Sequence, residues 1–72
     1  MRVVEDEAVV GQLGEVLVRI RGKAGPGEVA VPVRGTVELF IAYADEVIER
    51  GTSILVVTSR GNRAVDVVRW SK

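Results

Sequence analysis

Three observations predict an all-β fold, arranged as a small five-stranded barrel. The chain has 72 residues, the size of one small domain. β-Branched residues, which favour strands, are abundant: Val occurs 16 times, Ile four times and Thr three times. Five short apolar runs alternate with glycine-containing turns, and so few strands bury their apolar faces and hide their edges best by closing into a barrel. OB-type and SH3-like barrels both satisfy this pattern, and the long first strand favours the OB type.

The first three strands are predicted at residues 15–21, 28–33 and 37–44. A glycine-rich loop at residues 22–27 separates the first two, and Arg34-Gly35 makes the next turn. Pro32 cannot donate to a ladder, so we expect it at a strand end, an edge or a bulge. In the third strand, we expect Val37, Leu39, Ile41 and Tyr43 to point inward and Phe40 to point outward.

The last two strands are predicted at residues 52–59 and 64–70, joined by a tight hairpin in which Gly61 and Asn62 accept positive φ. Residues 45–49 are predicted to form a single helical turn. Shared strand faces then predict one buried cluster. Its members are Val16, Val18, Ile20, Val29, Val31, Leu39, Ile41, Ile54 and Val56.

The composition removes several kinds of active site. The chain has no His and no Cys, which excludes Ser-His-Asp and Cys-His catalysis and Cys/His metal sites. The glycine-rich loop does not match the GxxxxGK[ST] phosphate loop, because Ala24 follows Lys23 and Leu17 replaces the first glycine. Asp45, Glu46 and Glu49 are interpreted as a solvated loop rather than an acid–base pair. We therefore predict no catalytic residue, no metal and no cofactor.

Charge balance argues against a nucleic-acid partner. Ten basic and ten acidic side chains give zero net charge, whereas nucleic-acid binders carry an excess of Lys and Arg. OB folds nevertheless bind single strands through a charged groove and stacking aromatics, so an OB-fold single-stranded nucleic-acid-binding domain is the alternative function. A small enzyme or regulatory subunit that acts only in a complex is a second alternative.

The candidate partner-binding residues are Arg34, Glu38 and Phe40. They belong to the expected outer face of the second and third strands, the face that OB folds generally use for binding. An outward Phe beside an Arg is a typical interface anchor, toward a protein partner or a second copy of the domain. The competing interpretation packs Phe40 on the barrel exterior under a loop.

Several segments resemble the C-terminal domain of the NfeD family. Gly11 and Gly14 match the two glycines of the family's opening VGxxGxA, and Ala42 stands at a strand alanine. The segment from Ile48 through Gly51 to Val56 matches the family's IxxGxxVxV pattern, and Gly61 matches a late hairpin glycine. The resemblance covers residues 10–70, although the family's Trp before the strand alanine is absent.

The resemblance implies an OB-fold module that follows transmembrane helices in a membrane protein. Residues 1–10 would then be a linker remnant after the membrane region, and residues 11–72 the OB-fold domain. It also implies a non-catalytic role beside stomatin-, prohibitin- or flotillin-type scaffolds, or in regulating membrane proteolysis. We expect the domain to be membrane-associated, with the cytoplasmic side preferred.

Overall fold

The computed structural model describes residues 8–71 and places seven β-strands and a 3₁₀ turn at Gly22–Ala24 within them. The predicted strand at residues 15–21 is divided into two strands, and a short strand lies within residues 45–49. The strands are β1 (Leu13–Val18), β2 (Ile20–Arg21), β3 (Gly27–Val33), β4 (Thr36–Tyr43), β5 (Val47–Ile48), β6 (Ser53–Gly61) and β7 (Ala64–Arg69).

Five of these strands form a closed barrel in the order β1-β3-β4-β7-β6, which confirms the predicted architecture. β4 and β7 pair in parallel, and the other neighbours pair antiparallel. A parallel contact between the third and last barrel strands is the arrangement of an OB-type barrel. β2 and β5 form a separate two-stranded sheet.

Two tight hairpins fix the register of the barrel. Arg34 and Gly35 have φ values of 55° and 83° between the paired residues Val33 and Thr36. Asn62 and Arg63 have φ values of 54° and 60° at the turn between β6 and β7. Positive φ at both central residues defines a type I′ turn, whose twist suits the flanking strands. Both predicted turns are therefore confirmed, with Arg63 as an additional positive-φ position.

Pro32 lies where its missing N–H does little harm. It is the penultimate residue of β3, beyond the Glu15–Ala30 pair at which the β1–β3 ladder begins. The strand-end position expected from the sequence is confirmed.

A β-bulge in β1 exposes one predicted core residue. Val16 pairs with Val29, but Val18 pairs with Glu28, so two steps on β1 match one step on β3. A bulge of this kind reverses the side-chain alternation, and Val18 is consequently exposed. The chain turns sharply there, and a Cβ on Gly27 would lie 2.1 Å from the Val18 carbonyl oxygen.

The predicted alternation of β4 is wrong. Phe40 is only 5% exposed and Ala42 is fully buried, whereas Val37 and Leu39 are 65% and 52% exposed and Ile41 also lies outside. Phe40 stands opposite Val29 on β3, and directly opposed residues share a sheet face. The hairpin register therefore turns Phe40 inward. The buried residues are Val9, Val16, Ile20, Val29, Val31, Val33, Phe40, Ala42, Ile48, Ile54, Val56, Val65 and Val67.

The helical turn predicted at residues 45–49 is also wrong. Val47 and Ile48 form β5 instead, and Ile48 pairs with Ile20. Both isoleucines are fully buried, so this small sheet closes one end of the barrel. Burial of Ile48 favours the extended conformation over an isolated helical turn, which is unstable at this length.

The folded unit includes a residue assigned to the linker. Val9 is fully buried in the core, and the N–H of Gly11 donates to the Val56 carbonyl at 2.8 Å. Residues 1–7 of the predicted linker at 1–10 lie outside the described residues. Among residues 8–71, no helix has the length and apolar character needed to cross a membrane.

Candidate protein-binding surface

The three predicted partner-binding residues do not form one exposed face. Arg34 is exposed in the β3–β4 turn, as expected. Glu38 is half-buried, and its Oε1 lies 2.7 Å from Nη2 of Arg63. Phe40 lies in the main core, with the Arg63 guanidinium carbon 5.3 Å from its ring centroid. An exposed Phe40 anchor is therefore wrong, and so is the alternative of a Phe packed on the barrel exterior.

The inverted alternation of β4 creates a different surface. Val37 lies opposite Pro32, and Leu39 lies opposite Ala30, which itself pairs with Glu15 on β1. Leu13 shares the outer face of β1 with Glu15, since residues two apart in a strand point the same way. These neighbours form an apolar surface across three strands, which we name the outer patch. Its members are Leu13, Ala30, Pro32, Val37 and Leu39.

A shallow depression runs through the outer patch. Leu13, Ala30, Pro32 and Val37 line it together with the polar side chains of Glu15 and Ser53. Leu13 also pairs with Leu55 of β6, so the apolar surface extends to a fourth strand. Exposed apolar side chains that adjoin one another on a small domain are typical of a protein-contact surface.

About half of the charged side chains within residues 8–71 form ion pairs. The four ion pairs among residues 8–71 join Arg19 to Glu49, Arg60 to Asp66, Arg63 to Glu38 and Arg69 to Glu46. Glu15, directly opposite Ala30, adds one carboxylate to the outer patch and belongs to none of these pairs.

A second, polar cleft lies at the end of the barrel near β5. The guanidinium carbon of Arg60 is 3.9 Å from the centroid of the Tyr43 ring, and Asp66 accepts two hydrogen bonds from Nε and Nη2 of Arg60 at 3.0 and 2.8 Å. The hydrogen bonding of the Arg60 guanidinium to the Asp66 carboxylate, which stabilises the charged form, raises the pKa of Arg60. The carboxylate and the aromatic ring thus already hold the guanidinium. No spacing in the sequence indicates this cluster, because Tyr43 lies on β4 whereas Arg60 and Asp66 lie on β6 and β7, and only the fold brings these strands together.

The predicted acidic cluster is solvated. Asp45, Glu46 and Glu49 are all exposed, which agrees with the loop interpretation. Glu46 and Glu49 each lie 3.4 Å from an arginine nitrogen, on Arg69 and Arg19. No group of three or more metal-ligating side chains occurs within the described part of the chain. The arrangement offers an apolar contact surface and surface ion pairs.

The opening glycines of the sequence have a structural explanation. A Cβ on Gly14 would lie 2.5 Å from the Ala30 carbonyl oxygen and 2.8 Å from a Val31 methyl group. Gly14 therefore lets β1 lie close to β3, next to the outer patch. The motif glycine supports the barrel rather than contacting a ligand.

The strand order and the single parallel pairing place the domain in the class of small OB-type barrels. The model of the NfeD C-terminal domain family matches residues 13–68, and the chain belongs to that family. A search of curated proteins finds no significant match to the chain.

Three solved structures share the fold. The C-terminal domain of stomatin operon partner protein 1510-C from Pyrococcus horikoshii is 29% identical, with a TM-score of 0.68 over 92% of this chain and 94% of that one. The soluble domain of the NfeD protein YuaF from Bacillus subtilis is 28% identical, with a TM-score of 0.76 over 96% of this chain and 81% of that one.

The third is the soluble domain of a Corynebacterium glutamicum membrane protein, described as implicated in regulation of membrane protease activity. It is 19% identical, with a TM-score of 0.65 over 92% of this chain and 98% of that one. At this identity the likeness shows the fold.

Proposed function

We propose that this domain is a non-catalytic protein-interaction module, the soluble domain of an NfeD-like membrane protein. The observation that carries the proposal is the outer patch, a set of adjoining apolar side chains on the outer face of β1, β3 and β4, of which Leu13, Val37 and Leu39 are 44%, 65% and 52% exposed. Buried apolar area is the main driving force of protein association. The absence of His and Cys from the sequence supports binding rather than nucleophilic or metal-based catalysis.

The proposed partner is a scaffold protein of the stomatin, prohibitin or flotillin type. Membership of the NfeD C-terminal domain family supports this choice, and so does similarity to a protein named as a stomatin operon partner. Family membership and similarity to the soluble domain of the NfeD protein YuaF support attachment of the parent protein to a membrane. The proposed location of the domain is the cytoplasmic side. A role in membrane proteolysis follows if the scaffold also recruits a protease.

The structure gives less support to single-stranded nucleic-acid binding. Phe40, the expected stacking platform, is buried, and half of the eight basic side chains within residues 8–71 are paired with a carboxylate, namely Arg19, Arg60, Arg63 and Arg69. Stacking needs an accessible ring, and phosphate contacts need cations that are free to replace counterions. Protein binding is therefore the function that the geometry supports best.

A matched pair of substitutions tests the proposal. Leu13 and Val57 are 44% and 43% exposed, but only Leu13 belongs to the outer patch. We expect Leu13→Lys to weaken binding to a purified stomatin-type protein from the same organism by about tenfold or more, since it places a charge in an apolar contact. Val57→Lys should bind like the unsubstituted domain. Isothermal titration calorimetry measures both, and equal affinities for the two variants would refute the assignment of the patch.

A further inference from the structure

Part of β4 has a free edge. β4 pairs with β3 from Thr36 to Ala42, but with β7 only from Ile41 to Tyr43. Residues 36–40 therefore have no strand beside them on the β7 side within the described chain. An unpaired strand edge is a template on which another strand can add.

The backbone groups at this edge can be identified from the register. Thr36 pairs with Val33 across the two-residue turn, and residues at these positions exchange N–H···O bonds, so the N–H and C=O of Thr36 point toward β3. Because the backbone polar groups alternate in direction along a strand, the N–H and C=O of Val37 and Leu39 point away from β3. Ile41 has the same parity, and its N–H donates to the Arg63 carbonyl at 2.8 Å on the β7 side. The free edge thus presents the backbone of Val37 and Leu39, which are exposed members of the outer patch.

Arg63 covers one end of this edge. Its Nη1 lies 3.4 Å from the Leu39 carbonyl oxygen, while Nη2 binds Glu38. Covering an edge carbonyl with a charged side chain is a way to limit unwanted strand pairing. An incoming strand therefore has its best access around Val37.

We propose that this edge pairs antiparallel with the same edge of a second copy of the chain, about a two-fold axis at Val37. In that register the two Val37 residues exchange N–H···O bonds, and Glu38 lies opposite Thr36 of the other copy. The two Glu38 carboxylates lie diagonal to each other rather than directly opposite, and the ion pair of each with its own Arg63 at 2.7 Å reduces their repulsion. The zero net charge of the chain also removes general repulsion between copies.

Charge complementarity favours a second copy over an arbitrary strand. Arg34 belongs to none of the four ion pairs formed within residues 8–71. In the proposed register, Thr36 lies opposite Glu38 of the other copy, and Arg34 lies in the turn two residues before Thr36, so its long side chain can extend toward that carboxylate. Each copy would thus supply one cation to the other copy's carboxylate, twice by symmetry.

The expected dimer is weak. A stable protein interface buries about 800 Å² on each partner. The described chain exposes 4530 Å² in total, and the edge at residues 36–40 is a small part of that surface. The pairing would place the two outer patches side by side on one face of a continuous sheet. Dimer formation should therefore rise with concentration.

Introduced cysteines test the register, because the chain has none of its own. Val37→Cys should form a disulfide-linked dimer under mild oxidation at least about tenfold faster than Val57→Cys, since residues opposed across antiparallel strands lie within disulfide range. Val57 is exposed and lies on β6, which is separated from β4 by β7. Equal rates for the two variants would overturn the proposal.

Sedimentation equilibrium of the unsubstituted chain, without any scaffold protein, provides the second arm. The weight-average mass should rise with concentration, and both Val37→Pro and Val37→Lys should suppress that rise by removing the edge N–H or adding an edge charge. A chain that stays monomeric, or edge variants that still dimerise, would overturn the proposal. Neither result bears on scaffold binding, which the Leu13→Lys comparison measures separately.

Discussion

Phe40 of β4 lies directly opposite Val29 of β3, and both side chains point into the barrel. This single pairing sets which side of β4 faces the core. It makes Phe40 a central core residue and moves Val37 and Leu39 to the outer surface. The core and the candidate interface therefore depend on the same register.

Phe40→Ala should be strongly destabilising. Removing a buried Phe side chain costs about 3–5 kcal/mol, because apolar contacts are lost and a cavity remains. The neighbouring substitution Leu39→Ala should cost well under about 1 kcal/mol, since Leu39 is 52% exposed. Urea denaturation followed by circular dichroism measures both. Phe40→Leu is the fallback if the alanine variant does not fold, and similar losses at positions 39 and 40 would contradict the inward assignment.

The sequence predicts the strands well because glycine and proline separate them. Four of the five predicted strands correspond to single observed strands, and closure follows from their number. The face of β4 was not predictable in the same way, because Val37 and Leu39 compete with Phe40 and Ala42 as apolar sets. Choosing the other set as the inward face exchanges the core and surface residues of β4 and so changes the whole candidate surface. The bulge at Val18 and the strand at Ile48 depend on long-range pairing, which no local pattern contains.

Gly14→Ala should destabilise the barrel by about 1–3 kcal/mol, because the new methyl group meets the Ala30 carbonyl at 2.5 Å. Gly35→Ala is the matched control for a positive-φ glycine. The φ of Gly35 is 83°, but a Cβ there would meet nothing within 4 Å, so the stability lost in Gly35→Ala reflects backbone strain alone. Thermal unfolding should rank Gly14→Ala as the more damaging of the two. The reverse order would mean that β1 and β3 separate easily.

Single-stranded DNA should show no specific binding. Arg60 and Arg63 are engaged by Asp66 and Glu38, and Phe40 is not accessible for stacking. Fluorescence anisotropy with a labelled oligothymidine at physiological salt should therefore give no affinity better than the non-specific range of about 10⁻⁴–10⁻⁶ M. Submicromolar binding with a steep salt dependence would instead support the nucleic-acid function.

Removing the Arg63 side chain should strengthen self-association. Arg63→Gly uncovers the Leu39 carbonyl and removes the cation with which Arg34 of a second copy otherwise shares the Glu38 carboxylate. Glycine also adopts the φ of 60° at this position without strain, so the turn itself should be preserved. We expect the dimer association constant from sedimentation equilibrium to rise severalfold. Asn62→Gly, at φ 54° in the same turn, provides the control and should leave the constant unchanged. Identical constants for the two variants would show that Arg63 does not shield the edge.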